Sequence, residues 1–167
     1  ESNLKELDLR NYKIIHLATH GEISGAITGI DEPFLVLSPP GNSSIEDGLL
    51  KMSEIMSLDT NANLVVLSAC NTGAGDEVGS SGFSGLAKSF FMSGSKSVLV
   101  SNWYVETYSA KEIVISLFKN LKENPTFTIS EGLNKTMLSM AKNQKGRSHP
   151  MFWAPFIVVG KNQPLLF

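Results

Sequence analysis

A histidine followed by glycine, His20-Gly21, and the chain's one cysteine, Cys70, each follow a short apolar run that carries no acid, lysine or arginine. The first run is Ile14-Ile15-His16-Leu17-Ala18-Thr19 and the second is Leu64-Val65-Val66-Leu67-Ser68-Ala69. Both read as buried parallel strands. In open α/β sheets, ligands and chemistry collect at the carboxyl ends of strands, so an imidazole and a thiol at two such ends can meet across one crevice as a nucleophilic dyad. The imidazole would raise the thiolate fraction near neutral pH or protonate a leaving amine. Glycine next to the histidine lets the backbone approach a substrate carbonyl. The amides of Gly21 and Cys70 are therefore candidates for the two donors of an oxyanion hole.

Each of these residues also has a plainer use. A free cysteine is more often a small buried hydrophobe than a nucleophile; the histidine partner, and the turn Asn71-Thr72-Gly73-Ala74-Gly75 that leads out of the strand, shift the reading toward chemistry. His16 lies mid-strand and reads as a packing residue, while His149 lies in a polar loop with no evident role. The loop from Asn71 to Gly82 holds four glycines but fails as a phosphate cradle. Val78 stands where the third glycine of a dinucleotide fingerprint belongs, and Asp76 and Glu77 would repel a pyrophosphate. Gly82-Phe83-Ser84-Gly85-Leu86 misses the serine-hydrolase elbow by one position. A nucleotide-binding fold and a serine hydrolase are both disfavoured.

The elements that must position the dyad alternate along the chain. Strand-like runs fall at 12–18, 34–37, 64–69, 97–101 and 154–159, with helical patterns between most of them, which predicts an α/β fold with a largely parallel sheet. Over 109–121, Ala110, Ile113, Val114, Leu117, Phe118 and Leu121 line one helical face behind a capping box Ser109-x-x-Glu112. A second helix is predicted over 129–142 behind Thr128-x-x-Glu131. A third spans 83–92, with Gly94 placed to end it.

Bulk properties narrow the function classes. With 167 residues and 42% hydrophobic content, the chain is long enough for one sizeable core, and one domain is expected over 1–167. A net charge of −2 gives no field for nucleic acid, so none is expected as a direct partner. No apolar run approaches the roughly 20 residues needed to span a bilayer, so no membrane role is expected. One thiol rules out an intrachain disulfide and fits a reducing, cytoplasmic compartment. The histidines and the cysteine show no metal-ligand spacing, so neither a metal nor another cofactor is expected. The first residue is Glu1, which suggests a portion of a longer protein.

Seven stretches in order carry a family resemblance. They are His16-Leu17-Ala18-Thr19-His20-Gly21; Asp47-Gly48-Leu49-Leu50 with Glu54-Ile55; Leu64 through Gly73; Gly85-Leu86-Ala87-Lys88-Ser89-Phe90; Gly94-Ser95-Lys96-Ser97-Val98; Ser101-Asn102-Trp103; and Trp153-Ala154-Pro155-Phe156. Over about residues 12 to 160 the chain resembles the CHAT domain, a caspase-like cysteine peptidase related to separase and the gingipains and often joined to tetratricopeptide repeats.

The resemblance implies a caspase-like, mostly parallel sheet flanked by helices on both faces, forming a C-terminal peptidase portion of a longer chain. It implies His20 as the catalytic histidine and Cys70 as the nucleophile. Their separation of 50 residues agrees with the roughly 50-residue offset of caspases. Where the family carries Trp-Pro-Val followed by acids, this chain has Trp103-Tyr104-Val105-Glu106-Thr107. Glu106 is therefore the candidate acid of the specificity pocket, with Asp76 and Glu77 as weaker candidates, and cleavage after a basic residue is expected. The implied partners are a protein or peptide substrate and regulatory domains such as tetratricopeptide repeats that gate the site. The alternative is a non-catalytic CHAT-like scaffold that binds a partner protein.

Overall fold

A computed structural model describes residues 1–38, 46–68, 85–142 and 146–165. Cys70, Asp76 and Glu77, the glycine-containing loop that holds the two acids, and Phe83 of the predicted 83–92 helix lie outside the described residues.

Two buried strands organise the molecule. Strand β1 (Ile14–Leu17) pairs in parallel with β5 (Leu64–Leu67), and β5 pairs in parallel with β6 (Ser97–Ser101). A last strand, β7 (Phe156–Gly160), runs antiparallel to β6 and completes the order β1-β5-β6-β7. Three short segments, β2 (His20–Glu22), β3 (Phe34–Val36) and β4 (Leu49–Lys51), form a separate antiparallel sheet. The sequence reading had placed 34–37 among the strands of a largely parallel sheet; the structure moves it to the small sheet.

Every residue of β5 and β6 is buried, which explains why both read as unbroken apolar or small-residue runs rather than as alternating strands. Their side chains still alternate in direction. Val65, Leu67, Val98 and Val100 enter one core with Leu35 and Leu50 of the small sheet, Ile55 of α2 (Met52–Ser57) and Leu86, Ala87 and Phe90 of α3 (Gly85–Met92). Leu64, Val66 and Leu99 enter the other with Ile113, Val114, Leu117 and Leu121 of α4 (Thr107–Glu123) and Ile129, Leu133 and Met140 of α5 (Ile129–Lys142). The result is a mixed α/β architecture with helices on both faces of a mostly parallel sheet.

Two helix starts were read from capping boxes, and one of them moves. At α5 the box is present: the Thr128 amide donates to Glu131 Oε2 at 2.8 Å and the Glu131 amide to Thr128 Oγ1 at 3.3 Å. At α4 the helix begins two residues before Ser109, with Glu106 at the N-cap. Ser109 is buried inside the first turn and its hydroxyl donates back to Glu106 Oε2 at 3.0 Å. Helices α4 and α5 approach closely at Gly132, where an added Cβ would lie 2.6 Å from Leu121 Cδ2.

The end of α3 depends on Gly94. Its φ of +106° lets the Gly94 and Ser95 amides turn back to the Phe91 and Phe90 carbonyls, each at 3.0 Å. A Cβ there would stand 2.3 Å from the Thr60 carbonyl oxygen, which is backbone and cannot swing away. Gly94→Ala is therefore expected to lower stability by about 2–4 kcal/mol, from backbone strain and overpacking together. A denaturant midpoint unchanged from that of the parent protein would contradict this account.

At the amino terminus, Lys5 of α1 (Ser2–Lys5) meets Glu1, Glu46 and Glu54, each at 2.7 Å from its ammonium. This is the arrangement of a cation among three carboxylates, with the protein's own lysine as the cation. It ties α1 to the start of α2.

Candidate functional site

His20 does not simply hang from the end of β1. Strand β1 stops at Leu17, and Ala18 and Thr19 carry the chain across to the small sheet, where His20 is the first residue of β2 and pairs with Val36. The Thr19 hydroxyl donates to the Val36 carbonyl and pins this crossing. His20 is exposed, and Gly21 beside it is half-buried and paired with Leu35. The imidazole is thus held by the second sheet while facing the carboxyl end of the first.

There it borders a groove of about 310 Å³. One side is formed by His16, Ala18, Thr19, His20 and Ser68, the other by Val105, Thr107, Ala110, Lys111, Val114 and Ile115. Ser68 is the residue that follows β5, so the groove opens at the carboxyl ends of β1 and β5, where an open α/β sheet presents its ligands. Cys70 stands two positions beyond Ser68 in the sequence.

His16 differs from its expected role. It is exposed rather than packed, and its Nε2 lies 2.7 Å from Ser68 Oγ, so a hydrogen bond ties the ends of β1 and β5 together beside the groove. Partial burial of the ring holds its pKa below the ordinary histidine value, which keeps the imidazole neutral near neutral pH. The sequence signal was available: a single histidine in an apolar run that reads as a strand. His149 also has a definite use. Its Nδ1 accepts the Met151 amide at 3.2 Å and caps the short 3₁₀ turn Pro150–Phe152.

Glu106 lies at the margin of the groove, between the lining residues Val105 and Thr107, and is itself exposed. Its carboxylate already holds a guanidinium: Arg147 Nε reaches Oε2 and Arg147 Nη2 reaches Oε1, both at 3.1 Å. The Arg147 guanidinium carbon sits 4.1 Å from the centre of the Tyr108 ring. Hydrogen bonding from Arg147 is the main reason that the Glu106 pKa lies below the usual carboxylate range. Two indoles hold the Arg147 segment nearby, since Trp103 Nε1 donates to the Met151 carbonyl at 3.2 Å and Trp153 Nε1 to the Ser148 carbonyl at 3.0 Å. Sequence reasoning singled out Glu106 as a candidate but gave no sign of its pairing with Arg147, which lies 41 residues away in the chain.

Among the described residues, the one group of acids and histidines close enough to share a metal ion is Glu1, Glu46 and Glu54, and Lys5 already stands among them. Among the same residues, no helix is long and apolar enough to cross a membrane.

Comparison with known proteins agrees with the resemblance seen in the seven motifs. The chain is 28% identical over 117 residues to tetratricopeptide repeat protein 28 of Mus musculus, a match covering 70% of this chain and 5% of that protein. It is 26% identical over 121 residues to the Homo sapiens protein of the same name, covering 72% of this chain and again 5% of the relative. The chain thus spans a small fraction of the length of these relatives. The family model described as CHAT domain matches residues 1–161, and the chain belongs to the CHAT domain family.

Proposed function

We propose that this domain is a cysteine endopeptidase in which Cys70 attacks a peptide carbonyl and His20 handles the protons. The observation that carries the reading is the groove at the carboxyl ends of β1 and β5: His20 stands in its wall, and the chain leading to Cys70 leaves from Ser68 in its lining. Attack by the thiolate forms a thioester and expels the amine, which takes a proton from the imidazolium; water then hydrolyses the thioester with His20 as the base. The amides of Gly21 and Cys70 are proposed to hold the oxyanion of each tetrahedral intermediate. A thiolate nucleophile also favours reducing, cytoplasmic surroundings.

The substrate's residue before the scissile bond is proposed to be basic, with Glu106 as its partner and Asp76 and Glu77 as weaker contributors. What supports this is that Glu106 already accepts a guanidinium by two hydrogen bonds, with an aromatic face alongside. Gating by repeat or other regulatory domains, in the same chain or in a partner, is proposed because both relatives are named for tetratricopeptide repeats.

The test is labelling with an arginyl peptide electrophile that reacts with thiols, followed by mapping of the adduct. Modification of Cys70 that is lost in His20→Ala supports the peptidase. Folded protein that resists labelling, and that cleaves no peptide in a library, would instead favour the scaffold.

The Arg147 contact gives a separate prediction. Arg147→Ala should lower KM for arginyl peptides about two- to fivefold with kcat little changed, because a substrate guanidinium no longer competes with an internal one. Glu106→Gln should reduce the preference for arginine over glutamine by roughly fivefold to thirtyfold in kcat/KM. Unchanged preference in Glu106→Gln would remove Glu106 from the specificity pocket.

A further inference from the structure

The α4 side of the groove has a chemistry that Glu106 does not explain. Thr107, Ala110, Lys111, Val114 and Ile115 recur at the spacing of one helical face, and together with Val105 they form the wall opposite His20. Val114 is buried in the core, whereas Ile115 is 57% exposed and takes no part in the core cluster on that side. Ile115 lies one turn beyond Lys111 on the helix and leaves an apolar ledge beside it that is open to a ligand, while Ala110 packs against the core.

Lys111 stands over the same wall. Among the described residues that line the groove it is the one lysine or arginine, and aspartate and glutamate are absent. No ion pair joins Lys111 to another described residue; Glu106, five positions earlier, is paired to Arg147 instead. His16, on the opposite wall, stays neutral near neutral pH. The groove therefore presents a positive charge next to apolar surface, with no described anion in its lining to offset it.

We propose that Lys111, with Ile115 one turn beyond it, forms a subsite for an acidic side chain of the peptide, at a different substrate position from the basic residue read by Glu106. The methylenes of a glutamate would lie on the ledge while its carboxylate pairs with the ammonium, which keeps its hydrogen-bonding partner as water leaves. A lysine or arginine at that position would meet like charge. One helix then reads two substrate positions of opposite sign, Glu106 at its N-cap and Lys111 in its second turn. The proposal rests on the peptidase reading only in taking the ligand to be the same peptide.

Two measurements separate the two ideas. In the first, fluorogenic peptides with arginine before the scissile bond are scanned at each neighbouring position with glutamate, glutamine and lysine. Glutamate is expected to exceed lysine by about tenfold in kcat/KM at one position, from one screened charge pair gained and one repulsion avoided. Lys111→Glu should invert that preference and Lys111→Arg should retain it, with the arginine requirement unchanged. In the second, the same peptides are titrated onto Cys70→Ala protein by fluorescence anisotropy, with and without Lys111→Glu. Lys111-dependent binding of glutamate peptides without hydrolysis by the parent protein would leave this subsite standing and remove the peptidase. Hydrolysis in which no position shows a charge preference sensitive to Lys111 would overturn the subsite alone. The exposed position of Lys111 keeps its substitution out of the core, and matching thermal midpoints verify this.

Discussion

Replacing Cys70 with alanine is expected to abolish peptide hydrolysis, with kcat falling by about 10⁴- to 10⁶-fold. The expectation follows from covalent catalysis: without the thiolate no thioester forms, and only binding and the oxyanion donors are left to assist direct attack by water. The fold should survive, because the packing of β5 is supplied by Leu64, Val65, Val66 and Leu67, all essentially fully buried and all upstream of the substitution. The check is a time course of peptide cleavage beside a denaturant titration. Substantial cleavage by a folded Cys70→Ala protein would place the nucleophile elsewhere.

His20→Ala is expected to lose about 10²- to 10⁴-fold in turnover, the usual range for a positioned acid-base group. Its exposed position at the head of β2 means that little stability should be lost with it. His16 provides the contrast, since it borders the same groove but is engaged with Ser68. His16→Ala should keep most turnover and change the pH dependence of stability. The folded state holds the His16 pKa below the ordinary 6.5, so the unfolded chain binds the proton first as pH falls. The contribution of neutral His16 is therefore fully present above about pH 6.5 and is lost below it, as pH falls toward the folded-state pKa. His16→Ala should flatten that decline in unfolding titrations between pH 7 and 5. If His16→Ala matched the turnover defect of His20→Ala, the base would be misassigned.

These two histidines show which parts of the site could be read in advance. The run Leu64–Leu67 announced its strand because both of its faces are buried, and Ser97–Ser101 did so for the same reason. The 3.6-residue period found α4 because Ile113, Val114, Leu117 and Leu121 all enter one core. Of the small sheet only the run 34–37 was legible as a strand, and it was assigned to the other sheet; β2 and β4 have three residues each, too few for a period of two to stand out from chance. It is this sheet that holds His20, so the residue could be named while its support could not. The reversed direction of β7 was equally hidden, since an apolar run does not encode its orientation. Ser109-x-x-Glu112 misled because the pattern of a helix start can recur one turn inside a helix; Glu106 took the N-cap and drew the Ser109 hydroxyl to itself.

The pairing of β1 with β5 joins Ile14 to Leu64, and that of β6 with β7 joins Ser97 to Gly160. Both ladders span long stretches of chain, so neither can form before large loops have closed, and the entropy of closure comes before the contacts that offset it. The His16–Ser68 hydrogen bond crosses the first of these ladders and therefore cannot precede it. On the ribosome, a chain emerging through β1 and the small sheet already carries His20, but the carboxyl end of β5 that faces it has yet to be made. Completion of this groove is thus a late event in folding, and it cannot occur in a fragment that stops short of α4, whose residues from Thr107 to Ile115 supply much of its lining.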